Sequence, residues 1–454
     1  MAIYKPHKIR KMNQKIIIAC LLIFFWKLQA SAQKNTLTAE TVLEDLKQEI
    51  LFTDSLQTKV ITDVGFNMYV QKKVATYLSG ASDLSLASFY GTYSSDADRL
   101  NLGFNIPLNN RYTSRLKVIL NPMIETNIKN NFAAVYKNGA WQNDIRAGLK
   151  ATFLLPFSTL NFDVLRDEHD DKYNDLKIVR AKKYNELAKK IREEESVLER
   201  GYKLLNDSTI MPTHDKDEKK SAVKKKRKEL YQAIGQSEID YIETQRSNYW
   251  LNTYWISGWF MAPMTETEKY ISKDNVSSFE TKKFKLWDVN LQLNWLSDSK
   301  RVGTFFVSMW VKHFQNNSVT ADLMNSVDYV QYAQLPGTDP QSFAALETNK
   351  GYVGAYDEFT TTAYHAQVVY FLPLFNTLIK PGVSVRYEKN WGDYCPQNFR
   401  LGIPLAIQGK GDAVVNIELQ YRLNNLNNYR KDEDYSQNHT FGVNIGIPFV
   451  ALYK

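Results

Sequence analysis

Residues 441–449 read Phe441, Gly442, Val443, Asn444, Ile445, Gly446, Ile447, Pro448 and Phe449. Each odd position is large and apolar; each even one is small, polar or proline. A period of two gives an extended strand one apolar face and one face for polar or small neighbours. The stretch closes on an aliphatic residue, a proline and an aromatic. Four similar phrases stand upstream: Ile106-Pro107-Leu108, Leu155-Pro156-Phe157, Leu372-Pro373-Leu374 and Ile403-Pro404-Leu405. Proline has no N–H to give a ladder, so it belongs at a strand end. Five strands that stop alike point to one shared boundary.

The same alternation recurs along the chain. Ala413, Val415, Ile417, Leu419, Tyr421 and Leu423 alternate with Val414, Asn416, Glu418, Gln420 and Arg422. Trp287, Val289, Leu291, Leu293 and Trp295 alternate with Asp288, Asn290, Gln292 and Asn294. A soluble sandwich with one wet face is the alternative, but its strands run to about five or six residues. These runs are about ten residues long, the length of a tilted strand crossing a bilayer. Trp250, Trp255, Trp259, Trp287, Trp295 and Trp391 gather near expected strand ends, as interfacial girdle residues do. The expected fold is an all-β membrane barrel of about twelve antiparallel strands. They fall near 83–94, 98–107, 114–127, 140–156, 245–262, 281–296, 302–316, 357–372, 380–391, 397–407, 411–424 and 438–452. The five proline phrases then close strands two, four, eight, ten and twelve. Strand six ends in the polar turn Ser297, Asp298, Ser299, Lys300. All six mark one face of the membrane, the side of short periplasmic turns.

Residues 1–32 read as an export signal. Lys5, Lys8, Arg10, Lys11 and Lys15 form a basic leader, an apolar run covers 16–26, and Ala30-Ser31-Ala32 is a small-residue cleavage pattern. The leader holds six basic and no acidic residues, so without it the formal charge falls from +8 to +2. That excludes nucleic acid as a partner on charge grounds. Cys395 is then the single cysteine, and an intrachain disulfide is excluded. Mean hydropathy is −0.41, as a barrel with a polar interior allows.

Signal, alternation and a final amphipathic strand together resemble the outer-membrane β-barrel proteins of Gram-negative envelopes. The resemblance covers 83–454 outside one insertion, and the chain departs from it by ending Tyr453-Lys454 instead of on an aromatic. It implies localisation in the outer membrane, contact with lipid and a monomer.

The insertion is residues 163–247, with 20 basic and 19 acidic side chains in 85 positions. Such a composition cannot line a lipid-facing wall. Tyr184, Ile191, Leu198 and Leu205 repeat every seven residues, Asn206-Asp207-Ser208 and Pro212 break the run, and Val223 with Leu230 and Ile234 with Tyr241 resume the spacing. The pattern predicts an antiparallel, coiled-coil-like helical hairpin whose first arm is about 45 Å long. Following an even strand, it falls in the periplasm. Its seam is thin, and a partner or a third helix from 38–51 would complete it. The expected organisation is signal 1–32, a periplasmic helical segment 33–80, strands one to four in 81–162, the hairpin in 163–247, and strands five to twelve in 248–454.

Few residues suggest chemistry. Lys224, Lys225, Lys226, Arg227 and Lys228 form a basic run, either a solvated helix face or a docking site for an envelope protein or an anionic envelope polymer. Asp167, Glu168, Asp170, Asp171 and Asp175 lack the glycine of a calcium loop and suit a helix start. His313, His365 and His439 have no nucleophile partner at a recognisable spacing. No catalytic, metal or cofactor site is expected. The lumen phase comprises Arg146, Lys150, Asp288, Asn290, Gln292, Asn294, Lys312, Arg386, Glu388, Arg400, Asn416, Glu418, Gln420 and Arg422. Mixed signs fit either a hydrated, porin-like pore passing or binding small solutes, or a closed barrel that anchors the hairpin as a docking arm. The tyrosine-rich segment 319–357 is expected as an outer loop, with an inward constriction as the alternative.

Overall fold

The computed structural model describes residues 61–77, 87–94, 99–108, 115–127, 136–137, 140–141, 145–162, single helical positions between 175 and 189, then 213–244, 249–273, 279–299, 301–321, 323–334, 343–373, 379–408, 413–429 and 439–451. The chain divides into two compact units, 1–46 with 187–227, and 47–186 with 228–454. The second holds the barrel.

Twelve strands form it: β1 (Ala87–Ser94), β2 (Arg99–Phe104), β3 (Val118–Asn127), β4 (Arg146–Leu154), β5 (Tyr249–Pro263), β6 (Asp288–Ser299), β7 (Gly303–Asn317), β8 (Glu358–Phe371), β9 (Ile379–Gly392), β10 (Gln397–Gln408), β11 (Ala413–Leu423) and β12 (His439–Ala451). Each pairs antiparallel with its sequence neighbours, and β12 pairs with β1 to close the cylinder. Closure leaves no edge with unsatisfied backbone groups, which hydrocarbon would not tolerate.

Side-chain exposure follows the alternation. On β6, Val289, Leu291 and Leu293 are 46%, 58% and 54% exposed, whereas Asp288, Asn290, Gln292 and Asn294 are buried. Met309, Val383, Ile403, Leu419 and Phe441 are also exposed. An apolar belt around a whole cylinder has no place in water. Twelve tilted residues reach about 30 Å, the thickness of a hydrocarbon core. The barrel spans a membrane with its apolar phase outward. No helix among the described residues is long and apolar enough to cross one.

The proline phrases do fall on β2, β4, β8, β10 and β12, the even strands, and mark one end of the barrel. Three stand at or just past a strand end. Pro404 and Pro448 instead lie within β10 and β12. Pro404 faces Glu418 on β11, while the ladder to β9 steps from Pro381↔Leu405 to Ser384↔Gly402. Pro448 adjoins a register shift against β1 between Phe89 and Tyr90. A ladder can thus absorb a proline near its end by local irregularity. The polar turn expected to close strand six is also part of the strand, since β6 runs to Ser299.

At the opposite end several connections are longer, although the longest of all, the insertion between β4 and β5, is at the turn end. Segment 319–357 is a hairpin, Asn325–Gln334 against Phe343–Val353, joined to Thr267–Ser272 and Glu280–Phe284 in a separate four-stranded sheet. The expected strand near 281–296 is therefore two elements.

The tryptophans divide by face. Trp250, Trp295 and Trp391 are on the exposed phase, but Trp255 is 2% exposed and Trp259 faces the lumen. Trp287, half-buried just before β6, packs against outward-facing His313 and shares the outward phase, so it and the first three suit a girdle and Trp255 and Trp259 do not.

Candidate functional site

Helix α1 (Asp63–Tyr77) packs against strand residues at the short-turn end of the barrel. It begins at Thr62, whose Oγ1 accepts from the Gly65 N–H at 3.2 Å as an N-cap. The Thr62 N–H and hydroxyl in turn donate to Glu238, at 3.1 and 2.7 Å. Glu238 belongs to α2 (Thr213–Thr244) and is fully buried, so it supplies from a second helix the carboxylate a capping box takes from its own. Gly65 and Gly235 let the two backbones meet: a Cβ on Gly235 would stand 3.0 Å from the Gly65 Cα.

α2 buries Tyr231, Ile234, Glu238, Ile239 and Ile242, a helical stripe. Of the expected seam residues Ile234 is in that stripe, and Tyr241 flanks it, donating to Asp175 at 3.1 Å. Burial and that carboxylate push the Tyr241 hydroxyl up to about 12. The described single positions between 175 and 189 are helical, but the tip of the expected hairpin and segment 38–51 lie outside the described residues. Lys224–Lys228 are all helical, with Lys225 exposed.

From α1, Phe66, Tyr69 and Val70 enter one core with Ile239 and Ile242 of α2, Leu251 and Trp255 of β5, Leu296 of β6, Phe306 of β7, Val369 and Phe371 of β8, and Ala406 of β10. Polar ties hold the same helix. Leu116 N–H donates to Asn67 Oδ1 at 2.8 Å. Arg115 sits 3.3 Å from Asp63 and 3.9 Å over the Phe66 ring. Lys73 reaches Asp298 of β6 at 2.9 Å and donates to Tyr249 Oη at 3.0 Å, and the Tyr249 hydroxyl donates to Asp298 at 3.1 Å. Thr304 donates to the same carboxylate. The helix is seated by both apolar and ionic contacts.

Above it the lumen is filled. Gln292 donates to Ser308 at 2.7 Å, and Thr152 and Ser257 bond at 2.9 Å; all four are buried. Glu418 accepts from Ser384 and, at 2.7 Å, from Gln420; Glu418, Gln420 and Arg422 are buried on β11. Asn294 is buried, and the side chain of Asn416 is not among the described ones.

Nearer the long-loop end a cavity of about 270 Å³ remains. Its wall takes in Arg146 and Lys150 of β4, Asp288 and Asn290 of β6, Lys312 of β7, Arg386 and Glu388 of β9, and Arg400 of β10. Arg146 bonds Asp288 at 2.6 Å and also Glu125 of β3, a carboxylate in the lumen phase that the sequence reading passed over. Glu388 lies 3.2 Å from Nδ1 of His365, which stacks on Trp310 at 4.4 Å. His313 faces outward, its Nδ1 2.9 Å from Thr362 Oγ1, and His439 bonds Tyr421. None of the described residues of segment 319–357 lines the cavity.

No protein-family model matches the chain, and no curated protein matches it. Among solved structures it is similar to the β domain of the Bordetella autotransporter BrkA, at 6% identity and a TM-score of 0.27, over 80% of this chain and 96% of that one. It is similar to the NanC porin at 7% identity and 0.27, over 80% and 98%, and to OmpT of Vibrio cholerae at 7% and 0.25, over 79% and 95%. At these scores the likenesses carry no argument, and the barrel assignment rests on the closed strand pairing and the exposed apolar belt.

Proposed function

We propose that the chain is a stoppered outer-membrane barrel whose resting state does not conduct, and which anchors a periplasmic helical arm that docks other envelope components. The observation that carries this reading is α1, buried against the turn-side end of the barrel and pinned there by Lys73 and Asp298. Passage of small solutes, the other reading open from the sequence, would require α1 to leave its seat. The arm is joined to the stopper directly, because α2 supplies Glu238 to the start of α1 and Ile239 and Ile242 to its apolar seat. Nothing in this role calls for a catalytic step.

Planar-bilayer recording tests it. The full chain should stay silent, and deletion of 61–77 should produce discrete conductance steps. Steps from the intact chain would overturn the stopper. The docking half needs a separate readout. The full chain, crosslinked in its native envelope, should capture envelope proteins through the arm, and capture should be lost when 187–227 is replaced by a flexible linker. Capture unchanged by that replacement would overturn it.

A further inference from the structure

The lipid-facing wall is not smooth. Near the turn end, across β5, β6 and β7, it carries an apolar recess of about 240 Å³. Register explains its shape. Tyr254 stands beside Trp295, and Trp295 beside Val307. One outward position nearer the middle of the barrel, Ile256 stands beside Leu293, and Leu293 beside Met309. The first row is capped by rings. Phe157, in the turn after β4, packs on Tyr254 at 5.0 Å, and Tyr254 stacks on Trp295 at 6.3 Å with their planes 8° apart. The Trp295 indole N–H donates to Asn252 Oδ1 at 3.2 Å, which fixes the end of this aromatic ledge. Beneath the ledge the second row is aliphatic. Leu155, just past β4, borders the recess, as do the inward-phase residues Trp255 and Asn294.

The recess is continuous with the exposed apolar belt, so what covers the belt also covers the recess. On a smooth belt one acyl chain is as good as another, because lipid tails are as apolar as leucine. A recess breaks that equality. A chain lying in it touches wall on several sides, and the added van der Waals contacts hold it longer than its neighbours. An apolar cavity of about 150 Å³ accepts a benzene ring, so the recess has room for part of a hydrocarbon chain. Depth selects the part and the leaflet. Trp250 and Trp295 mark the headgroup level at the turn end. Leu293 is two residues farther along β6, about 7 Å of strand. The segment of chain nearest the glycerol would therefore enter, from the leaflet at that end.

We infer that the recess is a seat for one acyl chain of a phospholipid from the leaflet at the turn end, held more tightly than the surrounding lipid. The inference rests on the membrane-spanning belt and not on the stopper reading: a barrel that conducts with α1 in place would overturn the stopper and leave the seat standing.

Native mass spectrometry on the full chain tests it, after delipidation in detergent and titration with dioleoyl phosphatidylethanolamine. One lipid should bind in a distinct first step, at a concentration about tenfold below that of the later ones. Dioleoyl phosphatidylglycerol should give the same step, because the recess meets the chain and not the headgroup. Val307→Trp fills the recess from the lipid side, with little risk to folding, and should weaken the first step about tenfold. Leu419→Trp, on the lipid face of β11 and five strands from β6, should leave it unchanged. Retained heat-modifiable migration on gels shows that each variant keeps its barrel. The inference is overturned if wild type takes up lipid with no distinct first step, or if the step appears with one headgroup only. It is equally overturned if folded Val307→Trp keeps the step, if Leu419→Trp loses it as well, or if a dimer that Val307→Trp abolishes forms in place of the lipid complex.

Discussion

Lys73 and Asp298 form a buried ion pair that ties α1 to β6 in the proposed closed state. Their side chains are 9% and 4% exposed, so neither charge can turn to water when the other is removed. Breaking such a pair from one side costs about 3–5 kcal/mol, because a bare charge stays behind. Asp298→Asn should therefore loosen α1 by about that amount, read as faster proteolysis within 63–77 in detergent. Replacing both partners, Lys73→Met with Asp298→Leu, should recover most of the loss, since a well-packed apolar pair often matches a buried ionic one. If the double variant is as loose as the single one, the pair is not what seats the helix. One residue along, Lys72 and Glu243 stand 2.7 Å apart with side chains 26% and 34% exposed. A solvent-reachable pair is worth about 1 kcal/mol at most, so Lys72→Gln should leave proteolysis nearly unchanged.

At the scale of elements, the α1–α2 crossing depends on two glycines and one buried acid. A side chain at Gly235 would meet the Gly65 backbone, and one at Gly65 would meet the Glu238 carboxylate. Gly235→Leu should push the helices apart, break the Glu238–Thr62 bonds and give the conductance steps expected of a chain lacking 61–77. A silent barrel with normal protection of α1 would show that the crossing can be repacked. These helices also show where reading the sequence stops. The second arm was legible because Ile234 and its neighbours repeat on one face. Segment 33–80 read as helical and periplasmic, but the bounds of α1 and its seat in the barrel were not legible, since it buries Asn67, Gln71 and Lys73 along with Phe66 and Tyr69. Its seat, the mouth of a barrel, is polar on several sides. A helix that fits such a seat has no clean apolar stripe, and periodicity cannot show it. Glu238 was hidden likewise, as one acid among many in a charged run.

At the scale of the whole molecule, the twelve strands were legible because each crosses a sharp boundary between lipid and lumen, which writes a strict period of two into every one. Strand parity followed, and with it the common end of the proline phrases. The filled lumen was not legible, because mixed charges read alike whether they bridge one another or line water. Only register brings Arg146 to Asp288 and sets β4 opposite β10. Orientation in the membrane follows from the same parity and has a native reporter. Cys395 lies between β9 and β10 at the long-loop end, half-buried, its carbonyl accepting from Asn427 at 3.1 Å. Barrels of this kind keep short turns in the periplasm and long loops outside. A membrane-impermeant maleimide should therefore label Cys395 on intact Gram-negative cells, while protease added outside leaves 213–227 uncut. Labelling only after the envelope is opened, with 213–227 cut from outside, would invert the barrel. The arm would then stand on the cell surface, and α1 would stopper the outer mouth.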